Sequence, residues 1–247
     1  MKKVSILGVI PARYASTRFP AKALVDINGK AMVQRVYEQA LKSTLLTSVV
    51  VATDHPEIEN KVRSFDGNVC ITSESTPSGT DRCYEALTKL NESYDYVINI
   101  QGDEPFINPE QIDSLAELLD GNTEVATLAR KIDDPEDIFD PNVVKAIFNQ
   151  AGNALYFSRS SIPHLRGVDK NEWLNSGTFY KHIGIYGYRA DVLSKFSSLK
   201  ASTLEKAESL EQLRWLDNGF SIKIAETPHQ SIGVDTPEDL EKLKIFY

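Results

Sequence analysis

Short apolar runs alternate with amphipathic stretches through the first half of the chain. Residues 5–10, 48–53, 68–71, 96–100 and 124–130 read as strands. Between them, apolar positions recur at helical spacing over 32–42, 57–65, 81–90 and 110–119. That order predicts βαβ units and a mostly parallel sheet flanked by helices. Asn28-Gly29 marks a tight turn before the first helix, and Pro109 suits the first helical position behind an Asn108 cap.

From about 133 to 180 the rhythm changes to strands and irregular connections, with no clear helix, and 171–181 reads as a mobile polar and aromatic loop. A strand follows over 182–189. A helix is expected over 202–218, with Ser202 and Glu205 as a capping box and Gly219 as its stop. A strand over 222–226 and a helix from Pro237, capped by Thr236, close the chain. With 247 residues and 41% hydrophobic content there is enough material for one large α/β domain, with 131–200 as a possible smaller inserted lobe.

Charge is distributed unevenly. The chain carries a net −8, yet residues 1–35 hold seven Lys/Arg and one acid, a local +6 that leaves −14 on the rest. The basic positions Arg13, Arg18 and Lys22 fall in the loop after the first strand, where a small polyanion would bind. The acidic balance argues against a nucleic-acid partner, which needs a broad basic face. No apolar run approaches a membrane span, and the seven-residue run 4–10 is too short and too closely followed by charge for a secretory signal. Cys70 and Cys83 have no metal-type spacing and suit reduced thiols in the cytoplasm.

Two acids lie just past apolar strands, each with a proline soon after: Asp103 in Gln101-Gly-Asp-Glu-Pro105 and Asp235 before Thr236-Pro237. In open α/β sheets ligands bind at that edge, and two such carboxylates can share one Mg²⁺ with phosphate oxygens. Asp also serves as turn former and helix cap; the basic loop at the same edge favours the metal. Glu104, held by the following proline, reads as loop-fixing. Ser78, Gly79 and Thr80 precede a helix and suit either anion or base contacts or an ordinary cap. Glu208, Glu211 and Gln212 share a helix face by spacing, as a solvated stripe also would. A surface Arg159 and a core Tyr186 need no ligand.

Read together, these segments resemble the 3-deoxy-manno-octulosonate (Kdo) cytidylyltransferases. The matches are Ile10-Pro-Ala-Arg-Tyr14, Ser78-Gly-Thr-Asp-Arg82, Gln101-Gly-Asp-Glu-Pro105, Ala154-Leu-Tyr-Phe-Ser-Arg159, His182-Ile-Gly-Ile-Tyr186, Leu210-Glu-Gln-Leu-Arg214 and Gly233-Val-Asp-Thr-Pro-Glu-Asp-Leu240, in family order. The resemblance implies a nucleotide-diphospho-sugar transferase fold with a Rossmann-like sheet, the substrates CTP and Kdo, Mg²⁺, and a homodimer. It implies that Arg13, Arg18 and Lys22 grip the triphosphate and that Ser78 and Gly79, with Gln101, read the cytosine. Asp103 and Asp235 would hold the metal, and Arg82 would belong to the substrate-binding set. Arg159 would meet the sugar carboxylate, with His182, Tyr186, Glu211 and Gln212 at its hydroxyls. The chain departs from the family at Phe19-Pro-Ala-Lys-Ala-Leu24, where glycine and proline usually flank the lysine. Ala21 is expected to disfavour a positive φ there, and Ala23 to loosen the residue after Lys22. Ser161 also stands where a proline is common.

Overall fold

A computed structural model describes residues 4–15, 19–230 and 232–243. The elements follow in chain order as β1 (Ile6–Ala12), β2 (Asp26–Ile27), β3 (Lys30–Ala31), α1 (Met32–Ala40), β4 (Ser48–Thr53), α2 (Pro56–Arg63), β5 (Val69–Ile71), α3 (Gly79–Lys89) and β6 (Tyr96–Asn99). Next come α4 (Pro109–Ala116), β7 (Val125–Lys131), α5 (Pro135–Phe139), β8 (Lys145–Phe148), β9 (Ala154–Ser158), α6 (Trp173–Ser176) and β10 (Tyr180–Arg189). The last are α7 (Ala190–Phe196), α8 (Thr203–Glu208), α9 (Gln212–Asp217), β11 (Ile222–Glu226) and α10 (Pro237–Lys242).

The main sheet runs β11-β7-β10-β6-β1-β4-β5. Strands β6, β1, β4 and β5 pair in parallel, as do β11 and β7. Strand β10 alone on this path is antiparallel to its neighbours β6 and β7. A hairpin of β8 and β9 attaches to it through Lys145 and Lys181. Alternate residues of each strand feed opposite faces. Ile6, Ile10, Val49, Val51 and Ile98 join one apolar cluster with α1, α2 and α4. Leu7, Val9, Val50 and Val97 join the other, with Cys83 of α3, Leu193 of α7 and Trp215 of α9. Burial on both faces is why these strands read as continuous apolar runs.

The sequence-based helix over 202–218 is broken. The Ser202–Glu205 capping box forms, but Ser209 turns left-handed at φ 52 and ends α8, and α9 restarts at Gln212. Gly219, at φ +82, follows the end of α9. The expected loop over 171–181 instead holds α6 and the start of β10. It is pinned because Trp173 and Phe179 are buried with Ile132 and Ile138 in a small cluster of their own. Helices α5 and α7 were not foreseen; both are one or two turns long, too short for a periodic signal. No helix among the described residues is long and apolar enough to cross a membrane.

Candidate active site

Strand β1 delivers the chain into a basic loop that folds back on itself. The Ala21 N–H donates to the Tyr14 carbonyl at 3.0 Å, and Lys22–Leu24 form a single 3-10 turn. Ala21 itself stands at φ 54, ψ 26. The expectation that alanine would avoid positive φ is therefore corrected: the loop keeps the left-handed turn and alanine bears its strain. Arg13 is exposed on the same loop, and Arg18 lies outside the described residues.

This turn aims Lys22 at two acids that arrive from distant parts of the chain. Its Nζ is 2.7 Å from Asp103 Oδ2 and 3.2 Å from Asp235 Oδ1. The segments bearing those acids are joined by the Val234 N–H, which donates to the Asp103 carbonyl at 2.9 Å. Asp235 does not serve as the cap of α10. Thr236 is the N-cap, as expected, in a capping box with Asp239, whose carboxylate accepts from the backbone N–H of Thr236 at 3.0 Å and of Asp235 at 3.1 Å. Two hard carboxylates already converging on a cation form a donor set that fits Mg²⁺ completed by substrate phosphates.

An open cleft of about 330 Å³ spreads from this cluster, lined by Pro11, Arg13, Lys22, Gly79, Gly102 and Asp103 among others. Gly102 is required by space: a Cβ there would stand 2.5 Å from the Pro11 carbonyl oxygen. Gly79 and Gln101 also line a second, inner compartment of about 170 Å³, completed by Thr80, Asn99, Tyr186, Tyr188, Glu211 and Trp215. The two spaces therefore adjoin at Gly79 and Gln101.

Ser78 is the N-cap of α3, accepting from Asp81 N–H at 3.1 Å. Its hydroxyl lies 3.4 Å from Glu211 Oε1, while Thr80 donates to Glu211 Oε2 at 2.9 Å. Burial raises the Glu211 carboxyl above the usual range, against the lowering effect of Thr80. The predicted face shared by Glu208, Glu211 and Gln212 does not exist, because the break at Ser209 splits it. Glu208 instead accepts from Ser158 Oγ at 2.7 Å and Arg159 N–H at 2.9 Å. Gln212 is buried in α9.

Arg82 is fully buried, pairs with Asp54 at 3.0 Å and bonds Thr72 Oγ1. Asp54 also accepts from the Tyr14 N–H at 3.3 Å, and the Tyr14 ring stacks on His55 at 3.7 Å. Asp54 thus ties the basic loop to α3. It follows strand β4 as Asp103 follows β6, and the signal that singled out Asp103 was available for it.

Strand β10 carries a register break between Ile183 and Tyr186. The carbonyls it exposes are capped from neighbouring strands. Thr127 Oγ1 lies 3.2 Å from the Ile183 carbonyl oxygen and 2.7 Å from that of Ile185, and Gln101 Nε2 donates to the Gly184 carbonyl at 2.6 Å. His182 bonds Thr127 through Nε2 at 2.9 Å, with its ring between Phe157 and Tyr186. The residue keeps some surface, but its imidazole is enclosed, and burial pushes its pKa down to about 3. The Tyr186 phenol is driven well above its ordinary range by burial, and Glu211 adds to the effect. Arg159 stands apart from both compartments. Its guanidinium donates to the carbonyls of Glu208 at 2.7 Å and Pro141 at 3.0 Å. Ser161 spends its hydroxyl on the Ile138 carbonyl at 2.8 Å.

The Cytidylyltransferase family profile matches residues 7–224. A 3-deoxy-manno-octulosonate cytidylyltransferase of Parabacteroides distasonis is 54% identical over 248 residues, covering 98% of each chain. That of Cytophaga hutchinsonii is 55% identical over 238 residues, covering 96% of this chain and 95% of its own. The chain belongs to this family. A solved CMP:2-keto-3-deoxy-manno-octonic acid synthetase complexed with CTP superposes with a TM-score of 0.91 at 42% identity, over 98% of both chains. The 4-diphosphocytidyl-2C-methyl-D-erythritol synthase of Anaerococcus prevotii, at 14% identity and a TM-score of 0.64, shares the fold. The Lys22–Asp103–Asp235 cluster lines the larger of the two adjoining spaces and Glu211 the smaller. Sequence reasoning did not single out Gly102, Asp54, Asn99 or Trp215. Gly102 and Asp54 sit in readable strand-end motifs, whereas Asn99 and Trp215 emerge only from packing.

Proposed function

We propose that the cleft joins CTP to Kdo, releasing pyrophosphate and CMP-Kdo for lipopolysaccharide assembly, with the residues placed as follows. Arg13, Arg18 and Lys22 hold the triphosphate. Ser78 and Gly79 with Gln101 face the base, and the inner compartment takes the sugar acid. The anomeric hydroxyl of Kdo attacks the α-phosphorus of CTP; a new P–O bond forms as the bond to pyrophosphate breaks. Such a transfer needs alignment and charge neutralisation more than covalent help. Lys22 and the arginines supply fixed positive charge to the leaving pyrophosphate. Asp103 and Asp235 would hold Mg²⁺, which when bound supplies further neutralisation and Lewis acidity.

The observation that carries this reading is the Lys22 ammonium bridging Asp103, just past β6, and Asp235, in the loop before α10. It is supported by about 50% identity to enzymes named for that reaction. Gln101 faces the ligand while bonding Gly184, and Tyr186 and Glu211 line the sugar side, with His182 and Gln212 behind them. For Arg159 to meet the sugar carboxylate, its guanidinium must leave the carbonyls of Glu208 and Pro141. The reading includes a homodimer in the cytoplasm, consistent with two buried, unbridged cysteines; light scattering tests the dimer.

The deciding experiment is pyrophosphate release with Mg²⁺ from CTP or UTP, against a panel of Kdo, its 8-amino analogue and a sialic acid. CTP with Kdo is expected to turn over fastest. Equal or better turnover with another sugar overturns the choice of acceptor, and no release from any pair overturns the enzymatic reading.

A further inference from the structure

The inner compartment holds a concentration of unmet hydrogen-bonding capacity. Among the described residues, Asn99 Oδ1, Tyr186 Oη and Trp215 Nε1 are buried without a protein partner, and all three residues line this one space. They are buried to 5%, 8% and 1% exposure respectively. Buried polar groups are almost always paired, and each exception needs a reason. Three exceptions around one compartment point to a ligand that completes them.

Their chemistry defines the ligand. An indole N–H only donates, an amide oxygen only accepts, and a phenol does either. A hydroxyl group matches that set because it donates and accepts at once. An ammonium has no lone pair to offer the indole, and a carboxylate has no proton to offer the amide oxygen. Glu211 places a carboxyl group in the same space, which further disfavours a second carboxylate there. Rigid packing fixes the indole: Trp215 stacks on Phe196 at 4.9 Å and meets Tyr186 and Tyr188 edge-on at 5.2 and 5.5 Å.

We propose that Trp215 is a specificity-determining residue whose indole N–H donates to a neutral sugar hydroxyl seated in the inner compartment beside Asn99 and Tyr186. The proposal rests on the reading of this compartment as the sugar site. It places the hydroxylated part of the sugar, and not its carboxylate, against α9. A substrate lacking that hydroxyl leaves a buried donor unpaired, which is how a polar pocket rejects a deoxy analogue.

The test uses Trp215→Phe and, as an isostere, β-(3-benzothienyl)alanine at position 215, which keeps the bicyclic volume and lacks the N–H. The expected result is a rise of about tenfold in KM for the sugar acid with KM for CTP unchanged. The unliganded isostere should melt with the wild type, while the rise in melting temperature on adding sugar acid shrinks. An isostere with unaltered sugar KM overturns the proposal even if Trp215→Phe is impaired. So does an isostere that melts early and loses affinity for both substrates, since that would place the N–H on an internal water of the fold. Absence of wild-type pyrophosphate release, by contrast, overturns the reading of the cleft itself.

Discussion

Asp54 and Arg82 form an ion pair of 3.0 Å in which the arginine is fully buried and the aspartate nearly so. The aspartate's other oxygen receives the Tyr14 N–H, so one carboxylate braces the basic loop against the helix that opens with Ser78 and Gly79. Removing one member of a buried pair strands the other charge. Asp54→Ala is expected to lose about 3 kcal/mol in denaturant unfolding and to raise KM for CTP, because Tyr14 loses its anchor. Unchanged KM with lost stability would confine Asp54 to the fold.

The bridging ammonium makes a separate prediction. Lys22→Ala should reduce kcat by about two to three orders of magnitude, the usual loss when a charge-stabilising donor is removed. Stability should change by only about 1 kcal/mol, since the two acids it contacts are partly exposed. An effect limited to sugar KM would place the loop on the wrong substrate.

Asp103→Asn removes a hard oxygen charge while keeping the shape of the side chain. Turnover is expected to fall at least about a hundredfold, with a shifted Mg²⁺ dependence and an unaltered circular dichroism spectrum. Full activity at ordinary Mg²⁺ would remove Asp103 from metal binding.

Ala21 bears a backbone conformation that costs an L-residue about 1 kcal/mol or more. Ala21→Gly relieves it, offset by the greater freedom of glycine in the unfolded chain. The net expectation is a gain of about 0.5 kcal/mol in unfolding free energy, read as a higher denaturant midpoint. A loss would mean that the turn tolerates alanine without strain.

His182 couples folding to pH. Its folded pKa, near 3, lies below that of an exposed imidazole, so between the two values the unfolded chain binds a proton that the native state does not. Stability is therefore lost as pH falls from about 6.5 towards 3, by at most about 1.4 kcal/mol per pH unit. Asp113 and Glu205, also lowered in the folded state, add losses of the same sign at lower pH. His182→Gln should flatten the profile between pH 6.5 and 5, measured by urea midpoints; an unchanged slope would show that the ring titrates freely.

How far the sequence disclosed this molecule depended on range. The parallel strands announced themselves because both faces are buried, and the boundaries 48–53 and 222–226 coincide with β4 and β11. Caps were equally legible: Ser202 with Glu205 as a box and Asn108 ahead of Pro109, each made by local bonds within four residues. The break at Ser209 was not, because nothing in its type demands a left-handed turn. Tertiary contacts impose it, with Glu208 turned to Ser158 and Glu211 to Thr80. Asp103 was legible because it stands just past β6, as the strand-edge rule expects. Asp235 was expected past a strand over 231–234, but 232–235 form no strand, and the bond from Val234 N–H to the Asp103 carbonyl brings it to the site. Asn99 and Trp215 are ordinary core positions until the cavity beside them is seen. Trp173 was misplaced in a loop because its partners Ile132, Ile138 and Phe179 come from several segments.

The irregular stretch of β10 has a consequence for how such an enzyme changes over generations. Its three displaced carbonyls are held by two side chains, Thr127 and Gln101, while the parallel ladder of β6, β1 and β4 proceeds without them. On the function proposed above, a lineage that changes Thr127 would reshape the acceptor side of the cleft while the parallel ladder stays in register.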